Sequence, residues 1–316
     1  MISKSQLQVL SYLIDEAESG VPISTLATQL EWSLGHTSRV VSELARNGLV
    51  QTREQGREKL VTPSEIEPVE KLEGLLAEYS HVDFPKLIGG TALELLYYLD
   101  QSRTATELAE SSSVSRATVY RRLDDLQRVG IIGKSKSRYQ LNEPFTALAQ
   151  IARGLVHHRH RREAEQYTSG VTILWETPDE YLFACDSEFT ADGFHQTGPA
   201  LFREFEIPLL TRDRRHYFRS DRIESVPPAD LVCHMLLIDA GPRYQTYCLL
   251  LIQHTDLDQA TLEECVAHYA TEAERDLPAL IEELVAYLET GGQETTEQLP
   301  AWNEFKSIAA DYEITV

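Results

Sequence analysis

The sequence predicts a mainly α chain with α+β character. Two successive sets of three helices and a hairpin come first, and an acidic α+β region follows. Three observations predict this. Residues 4–63 and 88–141 carry the same order of helical apolar spacing, tight turn and alternating arms. Beyond residue 169, short alternating runs give way to long apolar helical runs. The charge also breaks at that point. The chain holds 29 basic and 50 acidic side chains, net −21, and residues 169–316 alone carry −19. Residues 85–168 are basic, at +4. A length of 316 residues supports more than one core.

In the first set, Leu7, Leu10, Leu13 and Ile14 fall on one helix face, and Gly20-Val21-Pro22 ends that helix. A short second helix follows over 23–30, with Ser24 as cap and Leu26, Ala27 and Leu30 inward. Glu31-Trp32-Ser33 turns the chain. A third helix over 34–44 buries Val40, Val41 and Leu44, and Asn47-Gly48 stops it. Residues 49–53 and 59–62 alternate around a Gly-bearing turn, which reads as a hairpin closed by Pro63.

The second set repeats the plan. Helix one spans 88–99. Helix two spans 104–110, with Thr104 and Glu107 at capping-box spacing. Ser111-Ser112-Ser113-Val114 is the turn. Helix three spans 115–126, with Val119, Leu123 and Leu126 on its core face, and Gly130 ends it. Residues 131–141 form the second hairpin, with Lys134, Lys136 and Arg138 expected on one face.

Three helices, a tight turn before the third and a closing hairpin resemble the winged helix-turn-helix. The segment Ser115-Arg116-Ala117-Thr118-Val119-Tyr120-Arg121-Arg122-Leu123 closely resembles the recognition helices of bacterial and archaeal winged-helix regulators. The resemblance implies tandem winged helix-turn-helix domains ahead of an acidic C-terminal α+β domain. It also implies double-stranded DNA as partner. A recognition helix needs small or hydrogen-bonding groups where it meets base edges, and His36, Thr37, Ser38, Arg39 and Ser42 offer them in the first set. Arg53, Arg57 and Lys59 would carry its wing to phosphate. In the second set Ser115, Arg116, Thr118, Tyr120 and Arg122 are left for the groove, with Arg121 in the same basic run. Arg pairs bidentately with guanine, and Lys134, Lys136 and Arg138 suit phosphate. The competing reading of each set is a helical module with solvated polar faces.

Residues 64–84 read as an acidic connector helix with Glu65, Glu67, Glu70 and Glu73 on a solvated face. Residues 143–168 read as a basic connector helix containing His157-His158-Arg159-His160-Arg161-Arg162. That run is expected to flank the DNA interface, against a solvated face or a metal site. No carboxylate or cysteine completes a metal site there, and three arginines repel a cation. In the α+β domain, 169–290, a hairpin joins 171–175 to 181–185. A short helix spans 198–205, and 209–211 is expected to pair with 216–218. Helices follow at 228–239, 243–253, 259–270 and 277–290. Residues 291–316 read as an acidic tail in which Trp302, Phe305 and Tyr312 would dock on the body or on a partner.

No apolar run is long enough to span a membrane, and the first residues lack a signal-peptide core, so a cytoplasmic chain is expected. Cys185, Cys233, Cys248 and Cys265 read as buried thiols, against a disulfide or metal site. His195, His216, His234 and His254 read as core or surface histidines. Gly89-Gly90-Thr91 resembles a segment of nucleotidyltransferase-like toxins, but the paired aspartates that follow it there are missing: Asp100 stands alone. The glycines more simply mark the start of a helix. No catalytic residue, cofactor or metal is expected, and the chain is not read as an enzyme. High acid with 7 Lys resembles proteins of salt-in halophiles, an unusually acidic mesophile protein being the alternative. The layout weakly resembles AbiEi-type antitoxin regulators. The expected function is a sequence-specific transcriptional regulator, a repressor, with a homodimer or a partner protein held through residues 169–316. The alternative is an antitoxin-like interaction protein.

Overall fold

The computed structural model describes residues 2–16, 20–56, 58–209, 214–293, 296 and 298–316. The chain divides into two compact units, Met1–Arg162 and Glu163–Val316.

The first unit contains the repeated element order. α1 (Lys4–Glu16) leads to β1 (Val21–Pro22), α2 (Ile23–Gln29) and α3 (Leu34–Arg46). The hairpin of β2 (Val50–Gln55) and β3 (Glu58–Pro63) follows, and β1 adds to it antiparallel, in the order β1-β3-β2. After α4 (Glu67–Glu78) and α5 (Phe84–Ile88), the second copy runs α6 (Thr91–Tyr97), β4 (Arg103–Thr104), α7 (Ala105–Ser111) and α8 (Arg116–Arg128). The hairpin of β5 (Ile132–Ser135) and β6 (Arg138–Leu141) closes it, in the order β4-β6-β5. Each copy runs helix, two-residue strand, two helices and a hairpin to which that strand adds. The two-residue strands β1 and β4 were not expected, because two residues carry no readable period.

The second copy's first helix is shorter than its apolar run. The break comes at Gly89-Gly90. A Cβ on Gly89 would lie 2.8 Å from the Lys4 Cα, and Gly90 sits at φ 65°. The Gly90 N–H donates to the Ile2 carbonyl at 2.8 Å. Gly89 therefore serves a close approach to the start of α1, and Gly90 the left-handed backbone that follows. The expected capping box is present: Thr104 Oγ1 accepts from the Glu107 N–H, and Glu107 accepts from the Thr104 N–H at 2.7 Å.

The two connectors are more than linkers. α4 buries Pro68, Val69, Leu72, Leu75 and Leu76, while its glutamates at 67, 70 and 73 stay exposed. α9 (Ala147–Ala164) follows a 3₁₀ turn and buries Leu148, Ile151, Leu155 and Val156. One hydrophobic core joins all of these to both copies. α9 reaches the second copy through an Arg153–Asp100 ion pair at 3.1 Å.

The second unit builds an antiparallel sheet in the order β7-β8-β10-β9. Its strands are β7 (Thr172–Glu176), β8 (Tyr181–Cys185), β9 (Phe194–Thr197) and β10 (Arg215–Arg219). The expected β7–β8 hairpin forms, with a register shift between Ile173 and Trp175. β10 pairs with β8 and β9, not with 209–211. Leu209 lies outside any strand, and Leu210–Asp213 fall outside the described residues. The short helix at Gly198–Phe205 is 3₁₀. α10 (Pro228–Ile238), α11 (Pro242–Thr255), α12 (Gln259–Ala270) and α13 (Leu277–Glu289) stand where the apolar runs predict them. The acidic tail is part of the core: α14 (Trp302–Asp311) buries Phe305 and Ala309 among the same residues. Trp302 and Tyr312 pack against that core too, so of the two expected docking places these aromatics take the body.

Candidate nucleic-acid interface

α8 presents an exposed polar face. Val119, Leu123 and Leu126 are fully buried, so the opposite face is fixed outward. That face carries Ala117, Tyr120, Arg121 and Asp124, all exposed, with Arg116 at its N-terminal edge. Tyr120 is 47% exposed, unusual for so large a ring. Arg116 is held by the Thr106 hydroxyl of α7. Thr118 is half-buried and bonds the Ser115 hydroxyl at 3.1 Å, so the two rigidify the start of the helix.

The sequence assigned Arg122 to the same face, and its position corrects that. Arg122 is half-buried, and its Nε donates to Thr91 Oγ1 of α6 at 3.2 Å. One residue on a helix is a turn of about 100°, enough to exchange an outward-facing Arg121 for a flank-facing Arg122. The turn before α8 is pinned from behind: buried Glu94 accepts from the Ser113 N–H at 2.9 Å and the Ser113 hydroxyl at 3.0 Å.

The second wing is also less uniform than expected. Lys134 and Lys136 are exposed, and Lys134 Nζ stands 4.7 Å over the Tyr139 ring, whose contact pushes the ammonium pKa up. Arg138 is turned away. Its guanidinium donates to the Ser102 carbonyl at 3.1 Å and pairs with Glu107 at 3.1 Å, so it braces α7 to the sheet. The three charges do not share a free face.

In the first copy, Ser38, Arg39 and Ser42 are exposed on α3, and His36 is half-buried against Trp32 with ring centroids 4.7 Å apart. Thr37 is a correction. It is fully buried, and its hydroxyl donates to the Ser33 carbonyl at 3.1 Å. Ser33 in turn caps α3 by accepting from the His36 N–H. Arg53 and Lys59 are exposed on the wing, and Arg57 lies outside the described residues.

The His/Arg run of α9 is not a free basic patch. Arg162 Nη2 donates to the Arg46 carbonyl at 3.2 Å, and His158 Nε2 reaches the Asn47 carbonyl at 3.0 Å. These groups satisfy and charge-complement the C-terminus of α3. Gly48 follows at φ 69°, and this left-handed backbone is what calls for glycine. His160 is buried. Sequence spacing showed the cations; only the packing of α9 on α3 shows what they do.

The second unit holds a buried polar chain that the sequence did not reveal. Thr197 Oγ1 bonds His234 Nδ1 at 2.8 Å, and His234 Nε2 bonds the Tyr269 hydroxyl at 2.9 Å. Tyr269 donates to Asp230 at 2.6 Å, and Arg222 bridges Asp230 at 2.9 Å to Glu180 at 3.2 Å. Ser220 and His268 complete the shell of Glu180, the latter at 2.6 Å. Burial pushes the His234 pKa down to about 3, so the ring is neutral. Asp230 and Glu180 are held below the usual carboxylate range: burial opposes this, and hydrogen bonds from Tyr269 and Arg222, and from His268 and Ser220, outweigh it. Cys233 and Cys265, distant in sequence, come to 3.6 Å as free thiols. His216 is buried and His254 exposed. Among the described residues, no group of three or more His, Cys, Asp or Glu is arranged to hold a metal. No described helix is long and apolar enough to cross a membrane.

Residues 91–140 match a family model described as an HTH domain. Residues 191–314 match HVO_2833_C, a model described as C-terminal. No curated protein matches the chain. The first match covers α6 through β6 and supports a helix-turn-helix DNA-binding regulator. The second runs through α14, in keeping with the place of that helix in the core.

Proposed function

We propose that the chain is a sequence-specific transcriptional regulator that reads double-stranded DNA first with α8 and secondarily with α3. The observation that carries this reading is the outward face of α8. Arg116, Tyr120 and Arg121 stand exposed on a helix whose other side is locked by three fully buried residues. Arg116 and Arg121 are assigned to base edges, and Tyr120 to a thymine methyl or a phosphate. Ser115 and Thr118 set the helix start, and Lys134 and Lys136 contact phosphate. Ser38, Arg39 and Ser42 on α3, with Arg53 and Lys59 on its wing, form the secondary contact. The regulator acts as a repressor in the cytoplasm, as a homodimer. Mapping bound sites across the source genome tests this: enriched sites are expected, and their loss in the Arg116→Ala/Arg121→Ala variant. A chain with no enriched site overturns the reading.

One observation favours a second reading, an antitoxin-like interaction protein. Residues 163–316 hold 9 basic and 30 acidic side chains, the whole net charge of the molecule. Such a unit suits a basic partner protein. Co-purification of one defined basic partner that depends on residues 163–316, without any DNA site, would favour it.

A further inference from the structure

Behind the reading face of α8 lies a cleft of about 530 Å³, formed with the segment that leads into α5. Its size suits a small organic ligand. Three cations line it, Lys86 of α5 with Arg122 and Arg128 of α8. Arg122 uses Nε on Thr91, which leaves its terminal fork for another acceptor. Among the described residues neither Arg122 nor Lys86 forms an ion pair. The two carboxylates at the rim are engaged: Asp83 caps α5 by accepting from the Lys86 N–H at 3.2 Å, and Asp125 pairs with Arg128 at 3.4 Å.

The remaining wall is His81 and the apolar Val82, Leu87 and Val129. Val129 is 44% exposed, which leaves apolar surface uncovered next to two unpaired cations. A simple hydrated anion would cover the cations and leave that surface wet. A neutral apolar molecule would do the reverse. We propose that this cleft binds a small carboxylic acid with an apolar body, its carboxylate on Arg122 and Lys86 and its body against Val129, Leu87 and Val82. The planar fork of Arg122 matches a carboxylate bidentately, and Lys86 adds a point charge. The occupant would tie α8 to α5 through its flank, without touching Arg116, Tyr120 or Arg121. That consequence for recognition rests on the DNA reading; the binding site itself does not.

The test is calorimetric titration of the full chain at constant salt with benzoate and octanoate, and with benzamide and octanamide as neutral controls. Saturable binding is expected for at least one acid, about tenfold or more tighter than its amide. Arg122→Gln should weaken it about tenfold or more, with the circular dichroism unchanged. Should Arg122→Gln melt early, Lys86→Gln, on an exposed residue of α5, gives the same reading. The proposal is overturned if neither acid saturates, if the amides bind as well, or if both variants bind like the parent chain. Because the readout contains no DNA, a failure of DNA binding leaves this result standing.

Discussion

The two units of this molecule handle polar groups in opposite ways. Residues 1–162 hold 20 basic and 20 acidic side chains and gather one apolar core running from Ile2 to Val156. Their buried polar groups, such as Thr37 and Glu94, work singly, each fixing one turn. Residues 163–316 hold all of the net −21, yet bury a connected chain from Thr197 through His234, Tyr269, Asp230 and Arg222 to Glu180. Charge on the outside of one unit therefore says nothing about the chemistry of the other. In the neutral unit, position matters more than count: Arg116 and Arg121 are exposed, Arg116 steadied by Thr106, while Arg122 is half-buried on Thr91 and Arg138 and Arg162 bond backbone carbonyls.

The largest effect should come from breaking that placement. On the proposed DNA reading, Arg116→Ala/Arg121→Ala removes two base contacts of about 1–3 kcal/mol each, so specific affinity should fall roughly 100-fold or more in anisotropy at fixed salt. Ser38→Ala/Arg39→Ala on α3 should cost less, about tenfold. An equal loss in the two variants would dissolve the distinction between the copies.

Acid should separate the two units next. His234 has a folded pKa of about 3, well below its ordinary 6.5. Between those values the unfolded chain binds the proton and the folded chain does not. Stability is thus full above about pH 6.5 and declines by about 1.4 kcal/mol per pH unit below it. Asp230 and Glu180, with lowered pKa values, add a further loss as pH falls below the ordinary carboxylate range. At about pH 5 the second unit should have lost about 2 kcal/mol in hydrogen-exchange protection through His234. His234→Gln should flatten that slope.

Glu94→Ala should cost about 1–3 kcal/mol by freeing the turn before α8. Thermal unfolding would register this, and DNA affinity should fall with it. Removing the Arg162 side chain should cost less, about 1 kcal/mol or below, because the α3 carbonyls it serves can turn to water.

Much of this was legible in the residues. Val119, Leu123 and Leu126 recur at spacings of 4 and 3, which no strand would give, and Thr104 with Glu107 announced its cap. The helices from Pro228 to Glu289 were readable because long apolar runs need no partner to be recognised. What was missed depends on contacts between distant segments. Thr37 looks like a groove residue until the turn at Ser33 claims its hydroxyl. Arg122 and Arg121 are indistinguishable as letters, and only the phase of α8 against Thr91 parts them. The run His157–Arg162 reads as a basic patch until α9 meets the end of α3. The buried chain around His234 joins residues 35 to 39 positions apart, beyond any local pattern.

The smallest expected effect distinguishes the two wings. On the first, Lys59 faces Glu54 across the β2–β3 pair, with Glu58 beside it, so its charge is already partly neutralised. On the second, Lys134 and Lys136 have no acidic neighbour on the hairpin, and Lys136 occupies the turn at φ 56°. A phosphate contact releases about one counterion from DNA, so losing it lowers the salt slope by about 1 and leaves sequence preference unchanged. Lys136→Gln should therefore flatten the dependence of log affinity on log salt by about 1. Lys59→Gln should change it by clearly less, since the glutamates around it already repel the same phosphate. Equal slopes in the two variants would mean that both wings lie on DNA alike, and the second copy would lose its precedence over the first.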